Sequence, residues 1–287
     1  MPSAIHKVGI VGAGIMGQGI AQVFAVAGYP VLIYDIQPDK ISAGLASIRK
    51  SMETAVEKGK LTAEQKDDAL HRVTPVNDFR SLQVELAIEA VIERLEVKQK
   101  IFQELEKNNS NETILATNTS SIPVTQIASV LKHPNRLAGL HFFNPAPAMK
   151  LVEVIKGAST QDAVIDTLKT LVGKIGKVPV LAQDSPGFIV NRVARHFYTE
   201  SLKILEENVT DVETIDKLMK GTGFKMGPFE LMDLIGIDTN FSVTSSIYNA
   251  FHQDPKFRPS RLQQQKVDAG HIGRKSGKGF YDYTSKA

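Results

Sequence analysis

The sequence predicts an α/β protein: a parallel sheet flanked by helices over residues 1–185, then a smaller all-helical domain over residues 186–287. Three observations carry this reading. Short β-branched runs alternate with helical periods along the first part of the chain, the pattern of strand, crossover helix and parallel strand. A glycine-rich turn follows the first of those runs and opens an apolar helix. Beyond Pro186 the strand signals cease and only helical periods continue.

Composition bounds the chemistry. A chain of 287 residues makes one or two domains, and 42 % hydrophobic residues suffice for a packed core. There is no cysteine, which excludes disulfides, thiolate nucleophiles and zinc–thiolate sites. The six histidines other than His141 show no metal-ligand spacing, so no metal is expected. Met1 to Lys7 is short and unpatterned, and no apolar run approaches the roughly 20 residues of a membrane span. A soluble, cytoplasmic protein is the expectation. The net charge of +3 suits an anionic ligand, and no basic stripe with interleaved aromatics points to nucleic acid.

Lys7–Val11 reads as the first strand. Gly12-Ala-Gly14-Ile15-Met16-Gly17 follows, and then an apolar helix. Gly12 permits the turn, Gly14 lets a pyrophosphate approach the backbone, and Gly17 lets helix and strand pack closely. The helix start offers free N–H groups and a positive dipole end to phosphates. A second strand, Tyr29–Tyr34, ends at Asp35, eighteen residues past Gly17. An acidic side chain there accepts hydrogen bonds from an adenosine ribose and repels a 2′-phosphate. Together these residues describe a Rossmann-type domain that prefers NAD. The alternative is a fold of this type that has lost its cofactor.

Residues 37–59 read as a long helix carrying Ser51 and Lys58, seven residues apart and so on one face. By the residues alone this is as well a solvated basic helix. Thr62-Ala-Glu-Gln65 is a capping box. Leu86–Ile92 reads as a buried strand ending near Glu93, with Lys98 at the start of the next helix. Ligands of open α/β sheets lie at the C-terminal strand ends, which places Glu93 near a cofactor. Thr113–Ala116 is a further strand, ending in Thr117-Asn-Thr-Ser-Ser121.

His141 lies in Leu140–Pro145 and Glu153 in Leu151–Ile155, two strand-like runs broken by Pro145-Ala-Pro147. A turn there folds the second run back beside the first and can bring imidazole and carboxylate together. A carboxylate on one ring nitrogen fixes the tautomer and raises the basicity of the other. The alternative is a strand-end histidine and a glutamate on a solvated face. Val178–Leu181 reads as the last strand. Ser185 then caps a long helix with Pro186 in its first turn, Ile189, Val193 and Phe197 on its apolar stripe, and Asn191 on another face. Thr210-Asp-Val-Glu213 is a second capping box, and Lys225-Met-Gly-Pro228 opens a further helix.

These residues resemble the short-chain L-3-hydroxyacyl-CoA dehydrogenase family nearly end to end. The resemblance rests on the glycine turn, Thr117–Ser121, His141-Phe-Phe-Asn-Pro145, Pro186-Gly-Phe-Ile-Val-Asn-Arg192, Met226-Gly-Pro228 and Gly277-Lys-Gly-Phe-Tyr281, with no departure at a core motif position. It implies that His141 is the catalytic base, that Glu153 is its partner, and that Ser120 and Asn191 hold the substrate's hydroxyl and thioester carbonyl. It further implies that Gly12, Gly14, Ile15, Met16, Gly17, Asp35, Glu93, Lys98, Ser120, Asn144 and Lys275 line the dinucleotide, and that Ser51 and Lys58 meet CoA. The implied substrates are of the acetoacetyl-CoA and 3-hydroxybutyryl-CoA class, and the implied assembly is a homodimer through the helical domain. Two other classes stay open: a two-domain β-hydroxyacid or imine reductase without CoA substrates, and a non-catalytic NAD-binding relative.

Overall fold

The computed structural model describes residues 4–284, so the first three residues of the segment read for a targeting signal lie outside it. In chain order the first unit runs β1 (Val8–Val11), α1 (Ile15–Val26), β2 (Val31–Tyr34), α2 (Pro38–Glu57), α3 (Ala63–His71), β3 (Val73–Pro75) and β4 (Leu86–Glu89). It continues with α4 (Leu95–Asn108), β5 (Ile114–Thr117), α5 (Val124–Ala128), β6 (Leu137–Phe142), β7 (Leu151–Lys156), α6 (Asp162–Lys174) and β8 (Val178–Gln183). The second unit holds α7 (Val190–Glu206), α8 (Val212–Gly221), α9 (Pro228–Ile235), α10 (Ile237–Ala250) and α11 (Arg261–Asp268). The two compact units divide between Phe188 and Ile189.

One sheet of eight strands runs β3-β2-β1-β4-β5-β6-β7-β8. Every neighbouring pair is parallel except β6 and β7, which are antiparallel. Alternate residues feed two cores because strand side chains alternate between faces. Val8, Ile10, Leu86 and Ile88 pack with Ile20, Phe24, Ile48 and Met52 of α1 and α2. Val11, Ala87 and Leu115 pack with Phe102 and Leu105 of α4 and Ile127 of α5. Helices therefore cover both faces, and the C-terminal strand ends carry the polar residues.

Three local expectations fail, each for a physical reason. The long helix of the second unit starts at Val190 rather than at Pro186. Gly187 and Phe188 have φ of 74° and 48°, outside the helical region, and the Phe188 N–H closes a turn onto Ser185 O at 2.8 Å. Its apolar stripe is not the buried one either: Val193 is 68 % exposed, while Arg195, Tyr198 and Leu202 are buried. Tyr198 and Leu202 share that core with Ile215, Phe229 and Met232. Burial sinks the Arg195 pKa to about 10, although its Nη1 donates to Asn240 O and Thr244 Oγ1. Finally, α8 is capped by Asp211, whose carboxylate accepts the Thr214 N–H at 2.8 Å, and not by Thr210. A charged oxygen caps better than a hydroxyl because it also meets the positive helix end. The Thr62–Gln65 box forms as read, with both reciprocal bonds.

Candidate active site and dinucleotide crevice

The glycine turn joins β1 to α1. Gly12 has φ of 106°, and a Cβ there would meet Ala90 O at 2.6 Å. A Cβ on Gly17 would lie 1.8 Å from Gly12 O, so helix and turn touch backbone to backbone. A Cβ on Gly14 would meet nothing within 4 Å: the space over the helix start is open. No side chain caps that end of α1. Asp35, at the end of β2, accepts the Ala13 N–H at 2.8 Å and the Gln37 N–H at 3.0 Å. It is half-buried, and a carboxylate has about four acceptor sites, which leaves room for a ribose. An open phosphate-sized space, an uncapped helix start and an acceptor one strand away fit a dinucleotide. Ile15 is exposed and Met16 half-buried beside that space.

On the other side of β1, two carboxylates share one ammonium. Lys98 is 1 % exposed and its Nζ meets Glu89 Oε1 at 2.7 Å and Glu93 Oε2 at 3.1 Å. Glu89, fully buried, also accepts the Val91 N–H and the Thr117 hydroxyl, both at 2.7 Å. Glu93 Oε1 gathers the next loop: it accepts the Thr119 hydroxyl at 2.6 Å and the N–H groups of Ser120 and Ser121 at 2.9 and 3.0 Å. Burial opposes ionisation of Glu93, but Lys98 and these donors outweigh it and hold the carboxyl below its usual range. Glu93 thus orders the loop that carries Ser120, and Lys98 Nζ is held between the two carboxylates.

His141 and Glu153 are register partners across the antiparallel β6–β7 pair. The Pro145–Pro147 break turns the chain, and the pleat sends both side chains to one face. His141 Nδ1 lies 2.8 Å from Glu153 Oε2, with both residues buried. An ionised carboxylate only accepts, so Nδ1 carries the proton and Nε2 is left as the basic nitrogen. Phe143 and Phe188 stand against the imidazole with ring centroids 4.5 and 5.7 Å away. The Phe142 N–H donates to Asn118 Oδ1 at 2.9 Å, tying the histidine strand to the Thr117–Ser121 loop. Asn144 is exposed, three residues beyond His141.

A cavity of about 370 Å³ lies beside α2, and Ser51, Thr54 and Lys58 line it, as the seven-residue spacing predicts. Lys60, Lys150 and Lys177 line it as well. Lys177 Nζ is spent on the turn after His141, donating to Ala146 O at 2.7 Å and Met149 O at 2.8 Å. Burial, and then the Lys150 charge, hold the Lys177 ammonium below its ordinary pKa. In the second unit Asn191 lies in the first turn of α7, and Lys275 pairs with Asp238 at 2.7 Å. Among the described residues no group of three His, Cys, Asp or Glu could hold a metal ion, and no helix is long and apolar enough to cross a membrane.

The model for the 3-hydroxyacyl-CoA dehydrogenase NAD-binding domain matches residues 7–185, and that for the 3-hydroxyacyl-CoA dehydrogenase C-terminal domain matches 187–283. This chain belongs to the 3-hydroxyacyl-CoA dehydrogenase family. It is similar to the 3-hydroxyadipyl-CoA dehydrogenase of Escherichia coli, at 48 % identity over 98 % of this chain and 60 % of that protein. It is 42 % identical to the 3-hydroxybutyryl-CoA dehydrogenase of Bradyrhizobium diazoefficiens over 99 % of this chain and 97 % of that one. The crystal structure of (S)-3-hydroxybutyryl-CoA dehydrogenase from Ralstonia eutropha superposes with a TM-score of 0.94 at 39 % identity, covering 98 % of this chain and 100 % of that one. The chain thus spans about three fifths of the first relative and nearly all of the other two.

As a member of the 3-hydroxyacyl-CoA dehydrogenase family, the chain carries an NAD-binding domain and is an NAD-dependent dehydrogenase. Sequence reasoning missed Glu89, Lys150 and Lys177. Glu89 sat inside an apolar run, where its buried charge was the available signal. Lys177 lies about 30 residues from the turn it ties, and no local pattern reports that.

Proposed function

We propose that this dehydrogenase oxidises L-3-hydroxyacyl-CoA to 3-ketoacyl-CoA and catalyses the reverse reaction, with His141 as base and acid. The observation that supports it most is the 2.8 Å contact between buried Glu153 and His141 Nδ1, on the same sheet end as the glycine turn. Nε2 takes the proton of the substrate's secondary hydroxyl, and the C–H hydrogen leaves as hydride. Bound NAD supplies the hydride acceptor. Glu153 stabilises the imidazolium that forms. Ser120, held by Glu93, and Asn191 position the oxygen. In the reverse direction His141 returns the proton to the alkoxide. Steady-state rates on a panel of 3-hydroxyacyl- and 3-ketoacyl-CoA substrates, a hydroxyadipyl thioester included, with both nicotinamide cofactors test this reading. Turnover of a CoA-free β-hydroxyacid instead overturns it.

Asp35 supports the choice of NAD, since a carboxylate after the second strand accepts hydrogen bonds from an adenosine ribose and repels a 2′-phosphate. Asp35→Ser should narrow the NAD over NADP ratio of kcat/KM. Equal use of both cofactors by the wild-type protein would sink that assignment. Asn144 and Lys275 complete the proposed dinucleotide contacts.

The lysine-lined cavity supports a site for the phosphates of CoA at Ser51 and Lys58, with Lys60 and Lys150 adding charge. Lys58→Ala removes one exposed charge-assisted contact, so KM for CoA substrates should rise about fivefold and the effect should shrink with salt. A short N-acetylcysteamine thioester, which lacks the phosphates, should be turned over unchanged. An equal loss on that analogue means that Lys58 acts through the fold. A homodimer is supported by apolar side chains on the helical unit: Val193, Leu218, Phe224 and Leu234 are 50–68 % exposed. A monomeric mass by light scattering overturns it. The cytoplasm is the proposed location.

A further inference from the structure

Glu89, Lys98 and Glu93 carry two negative charges and one positive, so a single negative charge is left inside the sheet end. As a device for stability this is poor, because an apolar pair of the same volume serves a buried site as well. Its placement is specific. Glu89 is the register partner of Val11, the residue before Gly12, and of Thr117, which opens the Thr117–Ser121 loop. Asp35 ends β2, on one side of β1, and the triad sits on β4, on the other. A dinucleotide with its pyrophosphate at α1 and its adenosine ribose at Asp35 therefore lays its nicotinamide half over β4 and β5. The nicotinamide ring is cationic when oxidised and neutral when reduced. A fixed negative charge beside it stabilises only the first form.

We propose that Glu89, Lys98 and Glu93 act as one linked group of net charge −1 that biases the bound cofactor toward its oxidised form. The inference rests on the dinucleotide reading above. It adds a role for Glu89, which contacts Lys98, Thr117 and the Val91 N–H. Glu89 is fully buried, so it acts through charge and through its contact with Lys98.

The test is direct binding. NADH is titrated by its fluorescence and NAD by calorimetry, on the full chain. Glu89→Gln brings the group to zero charge, and the Kd ratio of NADH to NAD should fall about three- to tenfold, as one charge at partly screened range requires. Glu89→Gln with Lys98→Gln restores net −1 through Glu93 alone, and the ratio should return toward that of the wild type. A purely structural role predicts no such rescue. If Glu89→Gln does not fold, Glu93→Gln with and without Lys98→Gln gives the same two charge states at a half-exposed position. An unchanged ratio in the neutral variant, or a fall that the double variant keeps, overturns the inference and leaves the function standing. Failure of the wild-type protein to bind either form overturns both.

Discussion

Glu153→Gln is expected to lower kcat about 10²-fold with KM nearly unchanged, the pattern of an interaction used only in the transition state. The amide keeps the shape and can still accept the Nδ1–H, but it cannot stabilise the imidazolium. The cross-strand register and the 2.8 Å contact make the two side chains one unit. His141→Ala should therefore cost more than Glu153→Gln, and the double variant should be scarcely worse than His141→Ala alone. Strictly additive losses in kcat would show that the residues act independently. Glu153 holds Nδ1, so the exchanged proton belongs at Nε2.

Gly17→Ala should weaken dinucleotide binding on the order of 10²-fold, because a misplacement near 1 Å at a positioned contact costs that much. The new Cβ would sit 1.8 Å from Gly12 O, and both partners are backbone, so the turn must move. Overpacking should also lower the thermal midpoint of the cofactor-free protein. Gly14→Ala separates the two effects. Its Cβ meets nothing within 4 Å, and its φ of −72° suits alanine, so the midpoint should hold. The Cβ would occupy the space assigned to the pyrophosphate, so NADH affinity should still fall. Unchanged NADH titrations in both variants would remove the dinucleotide from this turn.

Much of the site was legible because its residues cluster at punctuation in the chain. Gly12 and Gly17 mark a turn that only small residues permit, and Asp35 follows the next strand. The Pro145–Pro147 break between two apolar runs implied the return of β7 beside β6, hence the meeting of His141 and Glu153. The Ser51–Lys58 face needed only helical geometry, and both residues line one cavity.

What only the tertiary structure decided involves conformations and charges that local preference disfavours. Phe188 adopts φ of 48° while buried and 5.7 Å from the His141 ring, a backbone state that propensity assigns to glycine and asparagine. That delays α7 to Val190, and the helix buries Tyr198 and Leu202 rather than Val193. Glu89 lies within the run read as a buried strand, and its charge is accounted for only by Lys98 and Thr117 around its carboxylate. Short-range pattern records turns, strand ends and helix faces because these are local steric events. Charge compensation and ring packing join residues far apart in the chain, so their energies appear only once the sheet is assembled.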